Sequence, residues 1–119
     1  MILVIEDDPR AADLLRIYLS EAGYRLDMAQ NGAEGLEKIA QRRPDAVILD
    51  VLLPQMDGWT FLTQMKANAT TKDIPVIVVS IVDQKEKGFA LGAAEYLVKP
   101  IQKDTLLSML RAFGLRSSA

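Results

Sequence analysis

The sequence predicts an α/β domain in which helices cover both faces of a parallel sheet. Short apolar runs alternate with helix-period segments along the whole chain, and the runs ending at Asp50 and Ser80 are apolar throughout, as strands buried on both faces must be. Acids also collect where apolar runs stop: Glu6 and Asp7 close Ile2-Leu3-Val4-Ile5, and Asp50 closes Ala46-Val47-Ile48-Leu49. Ligands of open α/β sheets sit at that edge, outside the carboxyl ends of the strands.

Five strand–helix units fit. The first helix is expected to open at Asp8-Pro9, with Asp8 as cap and Pro9 at the first helical position, to present Ala11, Leu14, Leu15, Tyr18 and Ala22 as its apolar stripe, and to end at Gly23. The second strand, Arg25-Leu26-Asp27-Met28-Ala29, alternates polar and apolar residues and reads as an edge. Asn31 and Glu34 are spaced as a capping box for a second helix that runs towards Gln41 before Pro44. A third helix follows Asp57-Gly58, with Trp59, Phe61, Leu62 and Met65 as core and helix surface. After Ile74-Pro75-Val76-Ile77-Val78-Val79, a short fourth helix opens near Asp83, with Glu86 three residues on, and closes at Gly92; Gly88 weakens its interior by about 1 kcal/mol relative to Ala. Tyr96-Leu97-Val98 leads into Lys99-Pro100, whose peptide bond is a candidate for the cis form. The last helix, from about Lys103 to Phe113, is expected to bury Leu106, Leu107, Leu110 and Phe113 and to stop at Gly114, leaving a frayed tail from about residue 115.

Composition narrows the chemistry. The 119 residues, half of them apolar, suit a single domain that buries roughly two thirds of its unfolded surface. A net charge of −2 without a basic run argues against a nucleic-acid-binding surface. With no Cys and no His, disulfides, thiolate or imidazole metal sites and a phosphohistidine role are excluded, so carboxylates, Lys and Ser must carry any chemistry. The apolar runs are too short to span a membrane and the N-terminus lacks a signal-peptide pattern, so the expected location is cytoplasmic.

Right-handed crossovers place every strand's C-terminal end on one edge of the sheet, where Glu6, Asp7, Asp50, Ser80 and Lys99 converge. Acids gathered there repel, by roughly 4 kcal/mol for two charges about 4 Å apart at an effective dielectric of about 20, so a cation is implied. Carboxylate nucleophile, oxygen-rich Mg²⁺ site, hydroxyl and ammonium together suit phosphoryl transfer.

At these positions the chain resembles the receiver domains of two-component response regulators, the family of the chemotaxis protein CheY. The matching segments are Val4-Ile5-Glu6-Asp7-Asp8, Val47-Ile48-Leu49-Asp50, Leu53-Pro54-Gln55-Met56-Asp57-Gly58, Pro75-Val76-Ile77-Val78-Val79-Ser80 and Gly92-Ala93-Ala94-Glu95-Tyr96-Leu97-Val98-Lys99-Pro100. They cover nearly the whole chain in order. The resemblance implies a flavodoxin-like doubly wound (βα)5 fold, a five-stranded sheet of order 2-1-3-4-5, and Asp50 as acceptor of phosphate from a phosphohistidine on a histidine kinase or phosphotransfer protein. By position, Asp7 is implied as a direct Mg²⁺ ligand and Glu6 as one acting through water, with Asp50 and the Leu52 carbonyl completing the set. Ser80 and Lys99 are implied to bind phosphoryl oxygens, and Tyr96 to turn inward as an aromatic switch. Asp8 falls outside the pocket as a helix-start acid. Output is implied to pass through the fourth helix, fifth strand and fifth helix to a downstream domain or target protein, with homodimerisation allowed and no direct contact with nucleic acid or membrane. Such a module catalyses its own phosphorylation without turning over a separate substrate.

Taken singly these residues have commoner uses: a strand-terminal Asp is usually a turn or cap residue, a terminal Ser merely ends a strand, and a Lys is usually solvated. Their combination reverses that balance. Three departures stand out. Ile81 occupies a place the family usually gives to a small residue, where it is able to narrow access to Asp50; the stretch from Ser80 to Lys99 is shorter than in many relatives by about one helical turn; and Leu52 and Val82, two residues beyond Asp50 and Ser80, cannot orient an attacking water, which points to slow loss of phosphate. Ile81 also supports an alternative, a pseudo-receiver that works by constitutive contact without phosphorylation.

Overall fold

A computed structural model describes residues 1–53 and 57–115. Five strands and five helices alternate in the order β1 (Ile2–Ile5), α1 (Pro9–Glu21), β2 (Leu26–Ala29), α2 (Gly32–Gln41), β3 (Ala46–Asp50), α3 (Gly58–Ala67), β4 (Val76–Ser80), α4 (Lys85–Ala90), β5 (Glu95–Val98) and α5 (Lys103–Ala112). All strand pairs are parallel and the sheet order is β2-β1-β3-β4-β5, the flavodoxin-like arrangement. The register aligns the strand ends: Ile5 lies beside both Ala29 and Leu49, Asp50 beside Val79, and Ser80 beside Val98. Each apolar run thus delivers its terminal polar residue to one rim.

The alternation of side chains across the sheet builds two cores. Leu3, Ile5, Val47, Leu49, Val76 and Val78 face Ile39 of α2 and Phe61, Leu62 and Met65 of α3. On the opposite face Ile2, Val4, Ile48, Ile77 and Val79 meet Leu15 and Leu19 of α1 and Leu106, Leu107 and Leu110 of α5. β1, β3 and β4 are buried along their whole length, whereas β2 at the edge buries only Ala29.

Local chemistry sets the helix ends. Asp8 accepts from the Arg10 amide at 3.1 Å, Asn31 from the Glu34 amide at 2.9 Å and Asp57 from the Thr60 amide at 2.9 Å, each satisfying an amide with no partner inside its helix. Gly23, which follows α1, and Gly92, which follows α4, have φ of 86° and 102°, in the left-handed region that favours glycine.

Four details differ from the sequence expectation. The buried stripe of α1 is Ala12, Leu15 and Leu19, while Leu14 and Ile17 are 38% and 51% exposed; the helix carries more apolar residues than one face can hold, and the contact of Leu15 and Leu19 with β1 fixes its rotation. Tyr18 and Ala22 pack only at the margin of that core, and Ala11 is half-buried. The second arm of the α2 capping box reaches the Gln30 amide, at 3.4 Å from the Glu34 carboxylate, rather than that of Asn31. α4 begins at Lys85 after Gln84, with no side-chain cap: Asp83 pairs with the Lys85 ammonium at 3.7 Å instead. Phe113 is exposed, because α5 ends at Ala112 and Phe113 stands at its cap, beyond the buried Leu106, Leu107 and Leu110. The tail residues 116–119, like Pro54-Gln55-Met56 of the third matching segment, lie outside the described residues.

Candidate functional site

The rim formed by the strand ends holds three acids and a lysine. Glu6 is the first residue beyond β1, fixed there by its amide donating to the Ala29 carbonyl at 3.0 Å, and only 2% of it is exposed. Asp50, the last residue of β3, is 5% exposed. Lys99 follows β5, its amide donating to the Ser80 carbonyl at 2.7 Å, and the Lys99-Pro100 bond is cis. The Lys99 ammonium bridges the two buried acids, donating to Glu6 Oε2 at 2.9 Å and to Asp50 Oδ2 at 3.2 Å.

The remaining carboxylate oxygens are occupied from the backbone. Glu6 Oε1 accepts from the Asp8 amide at 3.2 Å, and Asp50 Oδ1 accepts from the Leu52 amide at 2.9 Å. Asp7 is exposed, yet one oxygen from each of Glu6, Asp7 and Asp50 can be chosen so that all lie within 4.8 Å of one another. Such a set of hard oxygen donors suits Mg²⁺ or Ca²⁺ rather than a thiophilic metal. The Asp8 side chain takes no part, since it caps α1.

Three acids share one ammonium, and the imbalance appears at Glu6. Burial first, and then the hydrogen bond and charge of Asp50, push the Glu6 carboxyl from 4.5 up to about 7, although Lys99 opposes the rise. Burial would depress the Lys99 ammonium, but its contacts with Glu6 and Asp50 outweigh burial and leave its pKa raised. Lys99 therefore stays charged while Glu6 is poised to take a proton near neutrality.

Ser80 is fully buried at the end of β4 and its Oγ accepts from the Val82 amide at 3.2 Å. Tyr96 is buried and inward; its hydroxyl donates to the Val82 carbonyl at 2.6 Å and accepts from the Gln84 amide at 3.2 Å. Among the described large hydrophobic residues Ile81 is the most exposed, at 69%, flanked by exposed Val82; Leu52 beyond Asp50 is exposed as well. Glu6, Asp7, Asp50 and Lys99 thus gather in one place, with Ser80 one strand away.

Sequence reasoning missed Gly58. It was legible as the turn residue after Asp57, but a Cβ there would lie 2.2 Å from Val51 Cα and 2.8 Å from the Asp50 carbonyl oxygen. Its amide donates to the Val51 carbonyl at 2.9 Å, so only glycine lets the first turn of α3 press against the chain that carries Asp50. A cavity of about 450 Å³ opens beside the acids, lined in part by Glu6, Asp7, Arg16, Met28 and Gln30. Another groove, between α2 and α3, contains Arg43 but no carboxylate.

The chain is similar to known proteins. Residues 2–111 match the family model described as the response regulator receiver domain. The response regulator MprA of Mycobacterium sp. (strain KMS) is 40% identical over 120 residues, covering 98% of this chain and 51% of MprA. The chain spans about half the length of the curated relatives it matches. Chemotaxis response regulator CheY4 of Vibrio cholerae superposes with a TM-score of 0.86 at 30% identity, over 94% of this chain and 96% of that one. The receiver domain of sensor histidine kinase PA1611 from Pseudomonas aeruginosa PAO1, which has a magnesium ion coordinated in its active site cleft, superposes with a TM-score of 0.85 at 25% identity, over 95% and 96% of the two chains.

Proposed function

This chain belongs to the response regulator receiver domain family, and from that premise we propose that Asp50 accepts a phosphoryl group from a phosphohistidine donor in a Mg²⁺-dependent reaction. The observation that carries the reading is the buried Asp50 carboxylate, held by the Lys99 ammonium at 3.2 Å in a pocket with an excess of acids. A carboxylate oxygen of Asp50 attacks phosphorus, the P–N bond to the donor imidazole breaks, and its electron pair returns to the ring nitrogen, leaving an acyl phosphate. Glu6, Asp7, Asp50 and the Leu52 carbonyl would hold Mg²⁺, which supplies charge neutralisation to the incoming phosphoryl oxygens. The magnesium in the PA1611 receiver domain supports that choice of ion.

Lys99 orients Asp50 before transfer and would pair with a phosphoryl oxygen afterwards, releasing Glu6. Ser80 would turn from the Val82 amide towards another phosphoryl oxygen, drawing the segment after β4 with it; Tyr96, bonded to Val82 and Gln84, would pass that movement to α4, β5 and α5. Shape change at this face is the proposed output, read by a downstream domain or target protein. The module turns over no separate substrate. Its proposed setting is the cytoplasm, as one receiver domain over residues 1–119; none of the described helices is long and apolar enough to cross a membrane.

Incubation with Mg²⁺ and acetyl phosphate, followed by intact mass, tests the proposal. One phosphoryl adduct is expected, lost with EDTA and lost in Asp50→Asn. No adduct under any donor or metal condition would overturn it in favour of a pseudo-receiver acting through constitutive contact.

A further inference from the structure

α4 has little of its own to hold it in place. It is six residues long, contains Gly88, and its N-cap Gln84 makes no side-chain capping bond. What holds it is aromatic. Gly88 lies so close to the Tyr96 ring that a Cβ would meet Cδ2 at 2.7 Å, and the Tyr96 hydroxyl receives the Gln84 amide at the start of the helix. Tyr96 in turn stacks on Trp59 of α3, with ring centroids 6.5 Å apart and planes inclined by 20°. Above the Trp59 ring sits the Lys87 ammonium of α4, 4.7 Å from its centroid.

Trp59 therefore touches the helix by two routes, one through Tyr96 and one through Lys87. We propose that Trp59 is a positioning residue that clamps α4 to the sheet, keeping Tyr96 inward through its stack and holding Lys87 through its face, so that α3 takes part in the switch. The three residues Trp59, Lys87 and Tyr96 come from α3, α4 and β5, and no two of these elements are adjacent to each other in the chain except α4 and β5. Movement of the segment after β4 must then work against this clamp, and release of α4 requires the aromatic pair to part. The inference rests on the proposed switch for its role in signalling, while the clamp itself is measurable without phosphate.

Amide hydrogen exchange across residues 85–90, referred to β3 amides in the same sample, reads the clamp. Trp59→Leu is expected to speed α4 exchange about tenfold while leaving β3 protected, from loss of an aromatic pair and a cation–π contact together. Lys87→Gln, at an exposed position, should speed it a few-fold in the native background and hardly at all in the Trp59→Leu background, because the partner ring is gone. Trp59→Phe, which restores a ring, should recover most of the protection. Unchanged α4 exchange in Trp59→Leu, or fully additive effects of the two substitutions, would overturn the clamp; if Trp59→Leu lowers β3 protection as well, the Lys87→Gln and Trp59→Phe comparisons decide. In the native chain, phosphorylation with Mg²⁺ and acetyl phosphate should change α4 exchange, and in Trp59→Leu that response should be at least halved. An adduct with an undiminished response in Trp59→Leu would remove Trp59 from the switch, whereas absence of any adduct in the native chain would count against Asp50 phosphorylation and leave the exchange comparison standing.

Discussion

Glu6 is the residue at which the electrostatics of the site become measurable. Its carboxyl titrates near 7 in the fold against 4.5 as a free group, so the folded form holds a proton that the unfolded chain has released between those values. Its contribution to stability is therefore fully present below about 4.5 and lost as pH rises through about 7. Metal-free protein is expected to melt at a higher temperature at pH 5.5 than at pH 8, by thermal denaturation in EDTA, and Glu6→Gln should remove most of the difference. Mg²⁺ should raise the midpoint more at pH 8 than at pH 5.5, because the ion competes with the proton for the same oxygens. Gly58 gives a second residue-scale expectation: Gly58→Ala forces backbone at Val51 and Asp50 to shift, and should cost about 1–3 kcal/mol in urea denaturation. The acids and Lys99 were legible because charged residues at the ends of apolar strands have few other reasons to be there. Gly58 was not, since its requirement comes from a backbone approach that no local pattern records.

At the scale of elements, the five strands and most helix ends were written locally, in apolar runs, in Asp8, Asn31 and Asp57 as caps, and in Gly23 and Gly92 as stops. The rotation of α1 was not, because Leu14, Leu15, Ile17 and Leu19 offer several apolar stripes and only the docked sheet selects one. The difference has a stability signature: Leu15→Ala should cost about 2–5 kcal/mol, whereas Leu14→Ala should cost well under half of that, by chemical denaturation. The start of α4 misled for a related reason. Asp83 and Glu86 have the spacing of a cap, yet tertiary contacts from Tyr96 position this helix. Asp83→Ala is expected to change stability by less than about 0.5 kcal/mol, against about 1 kcal/mol for Asp57→Ala, whose side chain does cap α3.

Over the whole molecule, sheet order and strand register bring the strand-end residues to one rim, with a core on each face of the sheet. Leu52 lies two residues beyond Asp50, and Ile81 and Val82 follow Ser80; all three side chains are apolar and exposed. None of these side chains can donate to or accept from an attacking water. Phosphate on Asp50 should accordingly persist, and Leu52→Asn should shorten its half-life several-fold when loss of the adduct is followed by mass; equal, fast loss in both proteins would count against a protective rim. The Lys99–Glu6 bond bears on how such a protein comes into being. It joins positions separated by 93 residues, at the ends of the first and last strands. During synthesis the acids at the end of β1 and β3 emerge long before the lysine that reconciles them, so a nascent chain carries an unbalanced rim until Lys99 has been added, and no product truncated before Lys99 can carry the complete proposed site.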